Sequence, residues 1–237
     1  MTDLEITAAA GSEIGRRYRA NFDVVHLSEH PLLAVVADGM GDGEGSAMAG
    51  RTTVDIVVER LARNADKSAI REAVAVAQRR VGEFGRRIGE LAGCTLTVLA
   101  QAPDGLWLGQ IGDSRLYRLR GGLLELLTVD HTMAWLGAVH GWYPFDSPEA
   151  AAARYRLTRY VGHPEQPEPD VVHIHPQAGD IYLLCTDGVA EQVSYQRMLE
   201  ILGQGGSPRR KVKELLAQAD NAGGRDNATA IVVEFAG

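Results

Sequence analysis

The chain has 237 residues, of which 45% are hydrophobic and 23% are charged, and its formal net charge is −7. This composition is typical of a globular protein with one sizeable core, and the acidic balance argues against a general nucleic-acid binder, because affinity for a phosphate backbone needs a concentrated basic face. The sequence shows neither a signal-peptide pattern nor an apolar stretch long enough to span a membrane, so we expect a cytoplasmic protein that does not bind membranes.

No linker, repeat or low-complexity tract divides the chain, which is therefore predicted to form one domain over residues 1–237. Predicted strands follow strands and predicted helices follow helices, an order that favours antiparallel sheets with helix pairs packed outside them. Ser46, Ser194 and Ser207 are the expected helix N-caps. In chain order, the pattern predicts strands over 24–27 and 32–37, helices over 46–63 and 67–90, strands over 95–100, 106–111, 116–119, 123–127 and 181–185, helices over 194–202 and 207–219, and a strand over 228–235.

Two dipeptides predict tight hairpins between these strands. Asp104-Gly105 joins one pair of apolar runs, and Gly121-Gly122 joins another. Asp104 is therefore interpreted as a turn residue. The two cysteines, Cys94 and Cys185, lie inside apolar runs without metal-binding spacing and are interpreted as buried reduced thiols.

Four other aspartates share one setting, at the boundary between an apolar strand and a glycine-containing turn. Asp38, Asp113 and Asp187 each follow a predicted strand, and Asp226 immediately precedes the last one. Taken singly, each could be an ordinary turn residue. Taken together, carboxylates at the edge of packed sheets repel one another unless a cation compensates them, and hard oxygen ligands suit Mg²⁺ or Mn²⁺. The pattern therefore indicates a divalent metal site.

Seven short segments match the motifs of one known family, in the family's order. They are VADGMG at 36–41, GCTL at 93–96, IGDSRLY at 111–117, LTVDHT at 127–132, LTR at 157–159, LCTDG at 184–188 and GRDNAT at 224–229. With these segments the chain resembles the metal-dependent protein serine/threonine phosphatases of type 2C, the PPM family, and its bacterial single-domain members in particular.

The resemblance implies an α+β fold, in which an antiparallel β-sandwich is flanked by helix pairs in four α-β-β-α layers. It also implies hydrolysis of phosphoserine and phosphothreonine in proteins, with two or three Mn²⁺ or Mg²⁺ ions as cofactors. The substrates would be phosphorylated proteins, made by a bacterial-type serine/threonine kinase.

The resemblance also assigns ligands. Asp38 would bridge two ions, the Gly39 carbonyl would bind the second, and Asp187 and Asp226 would complete the first. These three aspartates would hold the catalytic metal-bound water. Asp113, together with Asp187, matches the third-metal site of bacterial members.

The first family motif is altered in this chain. Aligning Asn21 and Asp23 with the family's Asn-Glu-Asp places Phe22 where a ligand of the second ion is expected, and Tyr18 where an arginine grips the substrate phosphate. Phenylalanine offers no ligand oxygen, and tyrosine cannot bind phosphate bidentately. Asp23 itself is expected behind the metal ligands, supporting them. Arg17 is the candidate to replace the missing arginine, although strand alternation would turn it to the opposite face unless the backbone bends.

Two readings of function follow from these departures. The first is an active phosphatase. The second is a pseudophosphatase, acting as a binding or regulatory module, in which Phe22 and Tyr18 record lost catalysis. Asp42 or Glu44 could supply a replacement ligand oxygen, or both could be merely solvated.

A flap-like segment is expected over about 131–156, near the substrate groove. It concentrates the aromatic residues Trp135, Trp142, Tyr143 and Phe145, which either pack locally or form a recognition surface.

The histidines carry less weight in the sequence. His173 and His175 share a strand face at a spacing that could bind a metal, but no third ligand is visible. His131 is interpreted as a turn-stabilising residue.

Overall fold

The computed structural model describes residues 4–237. Within this span no helix is both long enough and apolar enough to cross a lipid bilayer. The strands are β1 (Glu5–Glu13), β2 (Asp23–Glu29), β3 (Leu32–Asp38), β4 (Leu96–Ala102), β5 (Gly105–Ile111), β6 (Arg115–Arg120), β7 (Leu123–Leu126), β8 (Asp170–Ile174), β9 (Ile181–Cys185) and β10 (Ala228–Ala236). The helices are α1 (Glu44–Leu61), α2 (Lys67–Ile88), α3 (Met133–Val139), α4 (Pro148–Ala153), α5 (Asp187–Ala190), α6 (Tyr195–Gly203) and α7 (Pro208–Asn221).

The strands form two five-stranded antiparallel sheets. The first has the order β1-β10-β9-β6-β7, and the second has the order β2-β3-β4-β5-β8. A shared core of aliphatic and aromatic side chains, including Leu99, Leu116 and Tyr182, fills the space between the two sheets. The sheets therefore pack face to face as a sandwich.

Strand β3 shows how the sequence produces the layers. All six of its residues from Leu32 to Ala37 are buried. Successive side chains of a strand point to opposite faces. Leu33 and Val35 accordingly join the core beneath the helices, whereas Leu32 and Val36 join the core between the sheets. A continuous apolar run is thus what a strand buried on both faces requires.

Helix pairs cover the outer face of each sheet. Val57 of α1 and Val74 of α2 pack on the second sheet. Ile201 of α6 and Leu215 of α7 pack on the first. The expected α-β-β-α arrangement is confirmed.

Two strands were missing from the predicted order of elements, although a strand was expected around His173. β1 contains three consecutive alanines and Gly11, which are weak strand formers, yet it pairs with β10 over nine residues. A Cβ atom on Gly11 would lie 2.8 Å from Leu216 and Val212, so small residues here let α7 approach the sheet closely. β8 is short, and it pairs only with β5 among the described strands.

The predicted helix starts are partly confirmed. The side chain of Ser194 accepts a hydrogen bond from the Arg197 amide at 3.3 Å, as an N-cap should. Ser207 is the N-cap of α7, but its side chain makes no capping bond. The prediction that Ser46 caps α1 is wrong, because the helix begins at Glu44 and Ser46 lies buried within its first turn.

Both predicted hairpins are present. The two turn residues that join β4 to β5 are Pro103 and Asp104, and Gly105 is the first residue of β5, paired with Ala102. Gly121 and Gly122, with φ values of 57° and 83°, join β6 to β7 in the left-handed conformation that such a turn needs. Both cysteines are free and buried, as expected.

We expect Asp104→Asn to change the free energy of unfolding by less than about 0.5 kcal/mol, because asparagine fits the same turn and surface substitutions are usually mild. The Asp104 side chain is 64% exposed, and its Oδ1 lies 3.4 Å from Nε2 of His173. Urea denaturation of the two proteins measures the difference. A loss above about 1 kcal/mol would show that Asp104 does more than close the hairpin.

Candidate metal centre

Four aspartates from both sheets meet at one end of the sandwich. Asp38 ends β3, Asp113 lies between β5 and β6, Asp187 begins α5 directly after β9, and Asp226 lies two residues before β10. All four line one cavity of about 230 Å³. The structure therefore brings together the four aspartates that the sequence singled out.

Hydrogen bonds to Thr95 fix the backbone at Asp38. The Asp38 amide donates to the Thr95 hydroxyl at 2.9 Å, and the Asp38 carbonyl accepts from the Thr95 amide at 2.8 Å. The Thr95 hydroxyl also lies 2.7 Å from that of Ser114, the residue after Asp113. One buried threonine thus ties the end of β3 to the turn that carries Asp113.

Glycines beside the aspartates allow close backbone packing. A Cβ atom on Gly39 would lie 2.4 Å from the Ser46 hydroxyl, and one on Gly188 would lie 1.9 Å from the Asn227 carbonyl. The Gly39 amide also donates to the carbonyl of Phe22 at 3.2 Å. The Asp-Gly pairs at 38–39 and 187–188 therefore bring α1 and the start of β10 up against the site.

Asp23 lies behind the cavity, where it joins three strands. It pairs with Asp38 across β2 and β3. Its Oδ2 accepts hydrogen bonds from the hydroxyls of Thr186 at 2.8 Å and Thr229 at 2.7 Å. Thr186 directly precedes Asp187, so Asp23 contacts the residue next to Asp187 without lining the cavity itself. Its Oδ1 is buried and makes no hydrogen bond.

The pKa values of these carboxyl groups lie above the ordinary value of an aspartate. Burial is the largest cause, and it raises the pKa of Asp113 to about 7 and that of Asp23 to about 6. Burial, followed by the charges of neighbouring aspartates, raises the pKa of Asp38 and of Asp187 well above the ordinary value. Four carboxylates without a compensating cation are therefore unfavourable when all are ionised.

The donor set fits a hard divalent ion. In the part of the chain that the structure describes, no lysine, arginine or histidine lines this cavity, and Oδ1 of Asp187 is buried without a hydrogen-bond partner. Among residues 4–237, no three acidic, histidine or cysteine side chains are arranged closely enough to hold an ion by themselves. An open set of carboxylates suits Mg²⁺ or Mn²⁺, which keep several water ligands.

Two aromatic residues stand where the family pattern expects a ligand and an arginine. Tyr18 and Phe22 both line the cavity, with ring centroids 6.4 Å apart in an edge-to-face arrangement. The Tyr18 hydroxyl is close enough to Asp226 to lower the pKa of that carboxyl, although burial raises it overall. Phe22 belongs to none of the buried hydrophobic clusters. Its ring is therefore part of the site and not of the core.

Arg17 does not lie on a strand, so the alternation expected of a strand does not apply to it. Residues 14–22 form an irregular loop in which the Tyr18 amide donates to the Gly15 carbonyl at 3.0 Å. The loop arises because Gly15 packs directly on the backbone of Asp226, where a Cβ atom would lie 2.4 Å from its carbonyl. Arg17 is exposed and does not line the cavity, but its charge lowers the pKa of Asp226.

Other sequence candidates lie apart from the cavity lining. Asp42 and Glu44 are exposed and do not line it. The rings of His173 and His175 contact each other, with centroids 4.6 Å apart. They are part of no metal-binding group in the described chain.

The predicted flap forms α3 and α4. One of its aromatic residues packs locally, and three are exposed. The Tyr143 hydroxyl donates to the Met133 carbonyl at 2.5 Å and packs inside the flap. Trp135, Trp142 and Phe145 are 42%, 58% and 57% exposed. At its base, Tyr155 and Leu157 line the metal cavity.

The site also contains residues that the sequence analysis did not select. Thr186 and Thr229 hold Asp23, and Met40 and Leu91 line the cavity. Thr186 carried a usable signal, because a polar residue inside the otherwise apolar run before Asp187 needs a hydrogen-bond partner.

Comparison with known proteins identifies similar chains. A family model described as protein phosphatase 2C matches residues 19–219. The serine/threonine protein phosphatase PstP of Mycobacterium tuberculosis is 32% identical over 98% of this chain. That match covers 45% of the relative, so the chain spans just under half the length of PstP.

Two solved structures share the fold over nearly their whole length. The PPM Ser-Thr phosphatase MsPP from Mycobacterium smegmatis, in complex with cacodylate, matches with a TM-score of 0.85 and 31% identity, covering 98% of each chain. The catalytic domain of PstP, in complex with two manganese ions, matches with a TM-score of 0.86 and 29% identity, covering 99% of this chain and all of that one.

We expect the aspartate cluster to destabilise the fold as pH rises when EDTA removes divalent ions. A carboxyl whose folded pKa is raised stabilises the fold below its unfolded value, near 4, and this stabilisation is lost as pH rises through the folded pKa. For Asp113 that window ends near pH 7. The side chain of Asp113→Asn cannot ionise. Between pH 5 and pH 8 its free energy of unfolding should therefore rise by about 1–2 kcal/mol relative to that of the wild type.

Denaturant unfolding of both proteins in EDTA, at pH 5, 6, 7 and 8, measures this difference. Adding Mn²⁺ at pH 8 should stabilise the wild type. A difference in the free energy of unfolding that does not change with pH would contradict the claim that ionisation of the buried Asp113 carboxyl destabilises the fold.

Proposed function

Because this chain belongs to the protein phosphatase 2C family, we propose that it is a metal-dependent phosphatase that hydrolyses phosphoserine and phosphothreonine in proteins. The observation that carries the proposal is the set of four aspartates, drawn from both sheets, around one cavity without a basic side chain. Ionised carboxylates in such a cavity repel a phosphate group. The cavity can therefore bind a phosphate only when metal ions neutralise the carboxylates.

The proposed ligands follow the positions of these groups. Asp38, Asp187 and Asp226 would hold the first ion. Asp38 would also hold the second ion with the Gly39 carbonyl, and Asp113 with Asp187 would hold a third. When bound, two divalent ions supply an activated water and neutralise the phosphoryl oxygens.

The remaining residues of the cavity would orient the substrate. Leu91, Tyr155 and Leu157 line it beside the aspartates and offer apolar contacts to a polypeptide. Arg17, whose charge already acts on Asp226, is the proposed phosphate-binding residue. Because it lies in an irregular loop, it can turn toward the cavity without breaking a strand.

A thiol mechanism is disfavoured. Burial raises the pKa of both Cys94 and Cys185 to about 12. Both side chains are fully buried, so neither presents a thiolate to a substrate. Hydrolysis would therefore proceed by direct attack of water.

The proposed substrates are proteins phosphorylated by a bacterial-type serine/threonine kinase. This rests on the similarity to bacterial enzymes named as serine/threonine phosphatases, among them PstP and MsPP.

We expect the purified chain to hydrolyse an aryl phosphate and a phosphothreonine peptide in the presence of Mn²⁺, and EDTA to abolish the reaction. Asp38→Asn, Asp187→Ala and Asp226→Ala should each lower the rate at least 100-fold, because each removes a ligand. Asp104→Asn should retain the wild-type rate. Initial rates across a Mn²⁺ titration measure these effects.

The same experiment separates an enzyme from a binding module. A folded wild-type chain that shows no hydrolysis at any Mn²⁺ concentration would contradict the proposal and favour the pseudophosphatase reading. Wild-type turnover by Asp38→Asn would show that the cavity is not the active site.

We expect Phe22→Glu to lower the Mn²⁺ concentration that gives half-maximal activity, by about tenfold. The phenyl ring lines the cavity where a second-ion ligand is expected, and a carboxylate there would add an oxygen donor. A tenfold gain corresponds to about 1.4 kcal/mol. Phe22→Leu, which keeps the position apolar, is the matched control and should need the same Mn²⁺ concentration as the wild type for half-maximal activity.

Thermal melting accompanies this measurement. Since Phe22 lies outside the buried clusters, both variants should fold. If Phe22→Glu folds and its metal requirement equals that of the wild type, this position does not govern the second ion.

A further inference from the structure

The turn before Asp113 depends on an unusual glycine. Gly112 has a φ of +106°, and a Cβ atom there would lie 2.7 Å from the Thr95 side chain. Few other residues tolerate this conformation, and glycine by itself does not enforce it, since it is the most flexible residue. Something outside the turn must therefore hold the Gly112 peptide in place.

His131 forms two hydrogen bonds with the backbone of Gly112. Its Nδ1 accepts a hydrogen bond from the Gly112 amide at 3.1 Å, and its own amide donates to the Gly112 carbonyl at 2.9 Å. The Gln110 side-chain amide donates to the same carbonyl at 2.5 Å. The N–H and the carbonyl of Gly112 are therefore both hydrogen-bonded, and among residues 4–237 the partner of the N–H is Nδ1 of His131.

The opposite side of the imidazole is also fixed. Since Nδ1 accepts, Nε2 must carry the hydrogen of the neutral ring, and it lies 3.1 Å from Oδ2 of Asp170. Oδ1 of Asp170 accepts from Arg159 at 2.9 Å. His131 is only 5% exposed, whereas the side chains of Asp170 and Arg159 are 49% and 43% exposed, so the imidazole is the buried part of this chain of contacts.

We propose that His131 is a positioning residue for Asp113, holding the Gly112 peptide so that the Asp113 carboxylate faces the metal cavity. The inference rests on the proposed function, in which Asp113 and Asp187 hold the third ion. Asp38 is held by Thr95, Asp187 follows the Thr186 that Asp23 anchors, and Asp226 accepts from the Asn227 amide. Loss of the imidazole should therefore disturb one ion and not the others.

Two substitutions separate the two sides of the ring. His131→Asn keeps a carbonyl oxygen close to the place of Nδ1, so it can still accept from Gly112 but cannot reach Asp170. His131→Gln places its amide near Nε2, so it can reach Asp170 but loses the Gly112 bond. His131→Ala loses both, and His175→Ala, an exposed histidine after β8, is the matched control.

The first measurement uses the protein in EDTA and does not depend on metal. Hydrogen exchange of the Gly112 amide, followed by NMR, should accelerate at least tenfold in His131→Ala and His131→Gln. It should stay close to the wild-type rate in His131→Asn and His175→Ala. Equal protection of this amide in the wild type and in folded His131→Ala, or equal loss in the Asn and Gln variants, would overturn the proposal.

The second measurement is Mn²⁺ binding by calorimetry. The class of sites that Asp113→Asn removes should weaken about tenfold in His131→Ala and His131→Gln, and recover in His131→Asn, while the other sites stay unchanged. Uniform weakening of every site, or unchanged affinity at the class that depends on Asp113, would overturn the positioning role. Absence of any Mn²⁺ binding by the wild type would instead contradict the proposed function, which the exchange experiment does not use.

Discussion

The mutual repulsion of four carboxylates at one end of the β-sandwich is the constraint on which the rest of the site depends. Asp38, Asp113, Asp187 and Asp226 face a single cavity that contains no basic side chain. Burial and neighbouring negative charge raise their pKa values, which means that the fold keeps them together at a cost in stability. Divalent cations remove that cost, so metal binding and the stability of this end of the molecule are linked.

Strands that are buried on both faces bring the four aspartates together. β3 is buried between α1 and the opposite sheet, and β9 is buried in the same way on its own sheet. Buried hydroxyls then connect the strand ends. Thr95 joins Asp38 to the Asp113 turn, and Asp23 accepts from threonines of the other sheet. The strand ends that carry the carboxylates are therefore connected by hydrogen bonds between protein groups.

The departures from the family pattern lie in the most irregular part of the site. Tyr18 and Phe22 belong to a loop with no regular structure, and both line the cavity. Neither blocks the four aspartates from reaching it. If the chain binds metal as proposed, the consequence would fall on the second ion, with one oxygen ligand fewer, and on the phosphate, with no bidentate partner at residue 18. The ligands proposed for the first ion are unaffected.

The sequence by itself determined the layers and singled out the four aspartates that meet at the cavity. Apolar runs bounded by glycine-containing turns predicted most of the strands and drew attention to these aspartates, because buried strands and tight turns have strong local signals. It did not predict β1, whose alanines form a strand only because β10 pairs with them, or the cap of α1, because Ser46 is used for packing against Gly39. Only the tertiary structure decided that Arg17 lies in a loop, that the Phe22 ring belongs to the cavity, and that His131 holds the Gly112 peptide. Each of these depends on residues far apart in the chain, and contacts of that kind leave no periodicity in the sequence.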